Sequence, residues 1–130
     1  MDKNATVLLA DQDRMLSSLM AYRLRNSGFK VILCRDLNSL KDHLKESSAD
    51  LIVCNSQLGN TKDFDHLFSL KDSRSQFPQF LIIGERAQQN RITDLMEMGA
   101  DAYMLKPVTP ALLISEIEEM LLAKKVFLGG

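Results

Sequence analysis

Short apolar runs alternate with stretches of helical periodicity along almost the whole chain. The runs predicted as strands cover residues 6–10, 31–34, 51–54, 80–83 and 102–105. Between them, and after the last one, large apolar residues recur every three or four positions, which is typical of helices that bury one face. Such strand–helix pairs with short connections predict a parallel sheet with right-handed crossovers.

Residues that begin or end helices support this division. Ser27-Gly28 follows the first periodic stretch and predicts a helix end. Asp36 is placed to cap the second helix, and Thr109-Pro110 is a typical start for the last one. The first helix is predicted from the spacing of Leu16, Leu19, Met20 and Leu24.

Length and charge restrict the class of protein. A chain of 130 residues is predicted to form one domain over residues 1–124, with 125–130 as a C-terminal tail or the start of a linker. The formal net charge of -1 provides no field that would attract nucleic acid or anionic lipid, so we expect no direct nucleic-acid or membrane partner. Cys34 and Cys54 lie in apolar runs and are predicted to be buried free thiols, which favours a cytoplasmic location.

Polar residues follow three of the predicted strands. Asp11-Gln12-Asp13 follows the first, Asn55 the third, and Lys106-Pro107 the fifth. Open α/β sheets place their functional sites at the carboxyl ends of the strands, so these residues form the candidate site. A Gly-rich phosphate loop does not follow the first strand, which argues against a flavodoxin-like enzyme or nucleotide binder, and we expect no enzymatic activity.

Three segments in register carry a family resemblance: residues 7–11, 49–54 and 99–107. Together they resemble the receiver domain of two-component response regulators, the CheY-like family, over about residues 6–122. The resemblance implies a flavodoxin-like, doubly wound fold. Its five-stranded parallel sheet would have the order 2-1-3-4-5, with five helices in three α/β/α layers.

The family pattern is incomplete in this chain. In receivers, two adjacent acids after strand one hold magnesium, and a phosphoacceptor aspartate ends strand three. Asp11 matches the first acid, but Gln12 replaces the second and Asn55 replaces the phosphoacceptor. Asp13 is one position too late to replace the missing acid and is expected to point toward the first turn of the helix.

Two further family positions lie on strands four and five. Gly84 occupies the place of a Thr or Ser that would grip a phosphoryl oxygen, whereas Lys106 and the switch aromatic Tyr103 match the family. We expect Asp11 and Lys106 to pair directly, and we expect magnesium binding to be weak or absent. We predict no metal, no other cofactor and no catalytic residue.

The preferred interpretation is a pseudo-receiver, a degenerate member that works as a phosphorylation-independent interaction module. Its partner would be another protein or a second copy, bound through the face of helix four, strand five and helix five. Candidate residues on that face are Arg91, Asp94, Tyr103 and Glu118. Because Gly84 lacks a side chain, Tyr103 is predicted to turn inward. An effector domain covalently linked after Gly130 is a further expectation.

Two alternatives within the family stay open. The chain could be a receiver that is still phosphorylated, for example after deamidation of Asn55 or at another side chain. It could also be a normal receiver silenced by an engineered Asp-to-Asn change at Asn55. Gln12 and Gly84 argue against the second alternative, since one change is enough for silencing.

Overall fold

The computed structural model describes residues 4–71 and 76–129, with side chains of the last helix described to residue 123. Its strands are β1 (Thr6–Ala10), β2 (Lys30–Cys34), β3 (Leu51–Asn55), β4 (Gln79–Gly84) and β5 (Ala102–Leu105). Its α-helices are α1 (Arg14–Asn26), α2 (Leu37–Glu46), α3 (Thr61–Phe68), α4 (Gln89–Met98) and α5 (Pro110–Gly129). Short 3₁₀ turns cover Ser69–Lys71 and Arg86–Gln88.

The strands form one parallel sheet in the order β2-β1-β3-β4-β5. This confirms the predicted flavodoxin-like, doubly wound fold. β3 lies in the middle, and all its residues are buried, as expected for a strand covered by helices on both faces.

The alternation of side chains along the strands divides the core into two layers. Odd-numbered residues such as Leu9 and Val53 pack against α1 and α5, together with Leu113 and Ile117. Even-numbered residues of the central strands pack against α2, α3 and α4. The second layer is rich in aromatic rings, with Phe68 and Phe80 only 4.8 Å apart between ring centroids. In β5 the numbering is reversed, since Ala102 and Met104 pack in the layer of α1 and α5. The residue that follows each strand is assigned to a layer by continuing the alternation of that strand.

The predicted helix ends are confirmed at several positions. Gly28, at the predicted end of α1, has φ 102°, a conformation that L side chains rarely adopt; Gly99, which ends α4, has φ 136°. The Asp36 carboxylate accepts a hydrogen bond from Ser39 N at 2.7 Å, and Thr109 Oγ1 accepts one from Leu112 N at 3.2 Å. These caps fix where the chain enters α2 and α5.

One part of the sequence-based description of the helices differs from the structure. Leu19, predicted as part of the apolar spacing of α1, lies with Met15 and Tyr22 on the exposed side of that helix, and 54% of its surface is accessible. The buried side of α1 instead carries Ser17, Met20, Ala21 and Leu24. The backbone of α5 continues as a helix to Gly129, and the division of the chain after residue 124 stays a prediction. In the part of the chain that the structure describes, no helix combines the length and apolar character needed to cross a membrane.

Replacing the cap of α2 tests this local architecture. Asp36→Ala should lower the free energy of unfolding by about 1 kcal/mol, because Ser39 N loses its acceptor. The exposed mid-helix change Asp42→Ala is the control and should stay within about 0.5 kcal/mol of the wild type. Urea unfolding followed by circular dichroism measures both, and equal losses for the two variants would contradict the assignment of the cap.

Candidate functional site at the carboxyl edge of the sheet

The register of the strands brings the predicted site residues to one edge. Ala10 pairs with Cys54, so Asp11 and Asn55 are level with each other one position further along. Gly84 pairs with Leu105, so Glu85 and Lys106 are level in the same way. Side-chain alternation directs these four residues toward the layer of α1 and α5. The candidate site is therefore a product of sheet register.

The Asn55 amide is held in one orientation. Its side chain is almost fully buried, with 6% exposed, and Oδ1 accepts a hydrogen bond from Gln57 N at 2.9 Å. Because a backbone N–H needs an acceptor, the amide nitrogen must point the other way, toward Asp11. Nδ2 lies 3.5 Å from both Asp11 carboxylate oxygens, so it makes two long, weak contacts there. A neutral donor thus fills the space between residues 11 and 55.

Asp11 is also held by the chain that follows it. Its Oδ1 accepts a hydrogen bond from Asp13 N at 2.8 Å, while Asp13 itself caps α1 by accepting from Leu16 N at 3.0 Å. The expectation that Asp13 points toward the first turn of the helix is confirmed. Gln12 is exposed.

The charges pair differently from the prediction. Lys106 Nζ forms an ion pair with Glu85 Oε1 at 3.6 Å, instead of pairing with Asp11 as expected. The register explains the difference, because Glu85 and Lys106 follow paired residues on adjacent strands whereas Asp11 lies two strands further across. Both side chains are partly exposed, at 50% for Glu85 and 27% for Lys106, so the pair contributes at most about 1 kcal/mol. Glu85 was not predicted as a site residue from the sequence. The register of β4 and β5 places it beside Lys106.

The donor set does not fit a magnesium ion. Such an ion prefers several oxygen ligands, including carboxylates, in octahedral geometry. Here one carboxylate faces an amide NH₂ group, which cannot coordinate a cation. Within residues 4–71 and 76–129, no group of three His, Cys, Asp or Glu side chains is arranged to bind a metal.

The space beside Gly84 is filled by neighbouring side chains. A Cβ atom at this position would lie 2.7 Å from Ile92 Cδ1 and 2.8 Å from Ser56 Oγ, both too close without movement. Ser56 is fully buried, and its hydroxyl has no hydrogen-bond partner in the described structure. The chain therefore places a hydroxyl from the end of β3 where a side chain from β4 would otherwise lie.

Tyr103 is exposed, whereas the prediction was that it turns inward. Nearly half of its surface is exposed, at 48%. The predicted inward position depended on free space at Gly84, and Ile92 and Ser56 occupy that space. The inward rotamer is thus corrected to an exposed one.

The four residues predicted for an interaction face do not all share one environment. Asp94 and Tyr103 are exposed, and Glu118 is partly buried on α5. Arg91 contacts the region next to α3: its Nε donates to Ser56 O, and its guanidinium lies 5.9 Å from the Phe64 ring centroid. Because these contacts hold Arg91 against α3, its predicted place on the face with β5 is corrected.

The two cysteines behave as predicted from their apolar surroundings. Both are buried and free. Burial raises the pKa of the Cys34 thiol to about 11, and it raises the pKa of Cys54 well above its ordinary value. Both thiols are therefore protonated and unreactive near neutral pH.

Comparison of the sequence with known proteins identifies relatives of this chain. A family model described as the response regulator receiver domain matches residues 7–118. The transcriptional regulatory protein CpxR of Escherichia coli is 31% identical over 115 residues, which covers 88% of this chain and 48% of that protein. The alkaline phosphatase synthesis transcriptional regulatory protein PhoP of Bacillus subtilis is 27% identical over 107 residues, covering 82% of this chain and 44% of that protein. The chain thus spans about half the length of these curated relatives.

A solved structure supports the fold independently. The crystal structure of a CheY-like response regulator receiver domain protein from Methanospirillum hungatei JF-1 superimposes with a TM-score of 0.81. The match covers 94% of this chain and 97% of that one, at 19% sequence identity. At that identity the likeness concerns the fold alone.

A double-mutant cycle tests whether Ser56 occupies the space beside Gly84. Gly84→Ala should lower the free energy of unfolding by about 1–3 kcal/mol, because its Cβ overlaps Ile92 and Ser56. Ser56→Ala should be neutral or stabilising by about 1 kcal/mol, because it removes a buried hydroxyl without a partner. In the double variant, the Gly84→Ala loss should be smaller than in the wild-type background.

Ser48→Ala is the control for the serine change, since Ser48 is exposed and lies outside the helices and strands. It should change the free energy of unfolding by less than about 0.5 kcal/mol. Strict additivity of Gly84→Ala and Ser56→Ala would show that the two positions do not compete for space.

Proposed function

Because the chain belongs to the response regulator receiver domain family, we propose that it is an atypical receiver of a two-component signalling protein that works without phosphorylation. In this proposal the domain is a binding module in the cytoplasm, and it catalyses no reaction.

The observation that carries the proposal is the neutral, fixed amide at Asn55. Phosphoryl transfer to a side chain requires a nucleophile, usually an activated or anionic oxygen. The Asn55 Oδ1 is a carbonyl-type oxygen already bonded to Gln57 N, and Nδ2 is directed at Asp11. Neither atom is suited to accept a phosphoryl group.

The surroundings of Asn55 favour the same conclusion. A phosphoryl group would bring negative charge to a pocket that holds Asp11 and Glu85, with Lys106 already near Glu85. Without a divalent cation this repulsion is not compensated. The donor set around Asp11 is poor for such a cation, as its carboxylate faces an amide and the Asp13 N–H.

The proposed module also lacks the parts that would transmit phosphorylation. In the family, a hydroxyl at the end of strand four grips the phosphoryl oxygen, and an aromatic residue on strand five changes rotamer. Here Gly84 has no hydroxyl, and Ile92 and Ser56 occupy the space next to it. Tyr103 is exposed and has no cavity at Gly84 to enter. We infer that the domain keeps one surface at all times.

We propose that this constant surface includes Asp94 of α4, Tyr103 of β5 and Glu118 of α5. An exposed tyrosine on a rigid strand is a favourable anchor for protein binding, because it buries a large area at low entropic cost. The occupant would be a second copy or another protein. Since curated relatives named as transcriptional regulatory proteins are about twice as long, a linked effector domain is part of this proposal.

A phosphorylation assay tests the central part of the proposal. Incubation with an acyl phosphate and Mg²⁺ should leave the intact mass of the wild-type chain unchanged, because Asn55 offers no nucleophile. Asn55→Asp alone should react poorly, since Gln12 and Gly84 remain. Gln12→Asp/Asn55→Asp, which restores the acidic trio with Asp11, is the positive control and should react more readily.

Two outcomes of the mass measurement would oppose this account. A phosphoryl addition to the wild-type chain, located by peptide mapping to residue 55 or its neighbours, would show an active receiver. Full reaction of Asn55→Asp, equal to that of Gln12→Asp/Asn55→Asp, would favour a receiver silenced by one substitution.

The interaction surface is tested by a matched pair of tyrosines. If the partner is a second copy, Tyr103→Ala should weaken self-association by about tenfold, as expected for an aromatic anchor. Tyr22→Ala is the control, because Tyr22 is also exposed but lies on α1. Sedimentation equilibrium gives both constants. An equal effect of Tyr22→Ala, or a wild-type chain that stays monomeric, would contradict the self-association form of the proposal.

A further inference from the structure

A cleft of about 390 Å³ opens next to the candidate site, between α1 and α5. Its volume falls in the range of pockets that hold small molecules. The sheet contributes Leu9 and Ile83 to its walls, and the helices contribute Leu16, Met20 and Leu113.

The cleft has an apolar interior and a charged mouth. Val108, in the loop between β5 and α5, adds to the apolar walls. Asp11, Glu85 and Lys106 line the cleft where it meets the carboxyl edge of the sheet. A molecule that fills this space needs an apolar body and a polar head at one end.

The charged residues at the mouth of the cleft determine which charge the polar head of a bound molecule should carry. Two carboxylates face one ammonium group, so one negative charge is in excess. The ion pair at the mouth joins Glu85 to Lys106, whereas within the described residues the Asp11 carboxylate accepts from neutral donors, Asp13 N and the Asn55 amide. A cationic head is attracted by this arrangement, while an anionic head would be repelled by Asp11 and would compete with Glu85 for Lys106.

We propose that this cleft binds a small cationic amphiphile, an aliphatic or aromatic amine whose protonated head lies beside Asp11 and whose apolar body lies between α1 and α5. The inference goes beyond the proposed function and does not depend on it, because it uses Asp11 and the cleft walls and not the nucleophilicity of residue 55. Binding would give the domain an input that requires no phosphoryl group.

A second groove provides an internal comparison. It lies on the other side of α1, has a volume of about 300 Å³, and carries Arg14 and Arg35 together with Asp11 and Ser39. Its excess charge is positive, so an anionic amphiphile should prefer it to the cleft. Amide signals of Ser39 and of Leu113 therefore report on different sites.

Titration of ¹⁵N-labelled protein with three probes of equal chain length tests the proposal. Hexylamine should shift the amide signals of Leu16, Val108 and Leu113, and should bind at least about fivefold more tightly than hexanol or hexanoate. Lengthening the amine from butyl to hexyl should tighten binding by up to about fourfold per methylene, because each added group is buried against apolar walls.

Variants separate charge from shape. Asp11→Asn should remove most of the preference for hexylamine over hexanol, while its side-chain oxygen can still accept from Asp13 N. Val108→Phe should block all three probes by filling the cleft. Leu112→Phe is its control, because Leu112 is exposed on α5 and does not line the cleft. Circular dichroism verifies that each variant is folded.

Several results would overturn the inference. These are hexylamine binding no tighter than hexanol or hexanoate, an unchanged amine preference in Asp11→Asn, or hexylamine shifts confined to Ser39 and Arg35. Failure here leaves the phosphorylation assay unaffected, since that assay measures a mass addition at residue 55. A wild-type chain that accepts phosphate could equally still bind hexylamine, so the two proposals fail separately.

Discussion

The hydrogen bond from Gln57 N to Asn55 Oδ1 is the interaction on which the rest of the site depends. A backbone N–H can only donate, so it fixes the amide oxygen on one side and sends the NH₂ group toward Asp11. An aspartate at this position would present a second anionic oxygen there and would need a cation to offset the repulsion. The asparagine needs none, because its own NH₂ group faces the Asp11 carboxylate. In the proposed phosphorylation-independent receiver, the neutral amide thus stands in place of both the nucleophile and the carboxylate that would require a metal ion.

The features around Asn55 are consistent with this substitution. Lys106 pairs with the neighbouring Glu85 at 3.6 Å, instead of extending to an acidic cluster. Ser56 and Ile92 fill the volume beside Gly84, and Tyr103 is exposed. A receiver couples phosphorylation to its surface through these same positions, so their combined change supports the proposal that this domain works without phosphorylation. A side chain restored at position 84 would require Ile92 and Ser56 to move, because its Cβ would lie 2.7 Å from Ile92 Cδ1 and 2.8 Å from Ser56 Oγ.

The sequence predicted the fold well because the fold depends on local patterns. Apolar runs, helical spacing and caps such as Asp36 and Thr109 act over a few residues, and the structure has them where expected. Predictions of side-chain contacts were wrong where the contact depends on residues far away in the sequence. The pairing of Lys106 with Glu85 follows from the register of β4 and β5, and the exposed Tyr103 follows from the filling of one small space. Leu19 and Arg91 show a related limit, since helical spacing alone does not say which neighbour a helix face meets.

The most direct test of the neutral-site account is an NMR titration with Mg²⁺, followed by addition of beryllofluoride as a phosphoryl mimic. The account predicts no saturable shift of the Asp11, Asn55 and Lys106 amide signals at millimolar Mg²⁺, and no change at Tyr103 when the mimic is added. Saturable Mg²⁺ binding at Asp11, followed by a mimic-dependent shift at Lys106 and Tyr103, would contradict it.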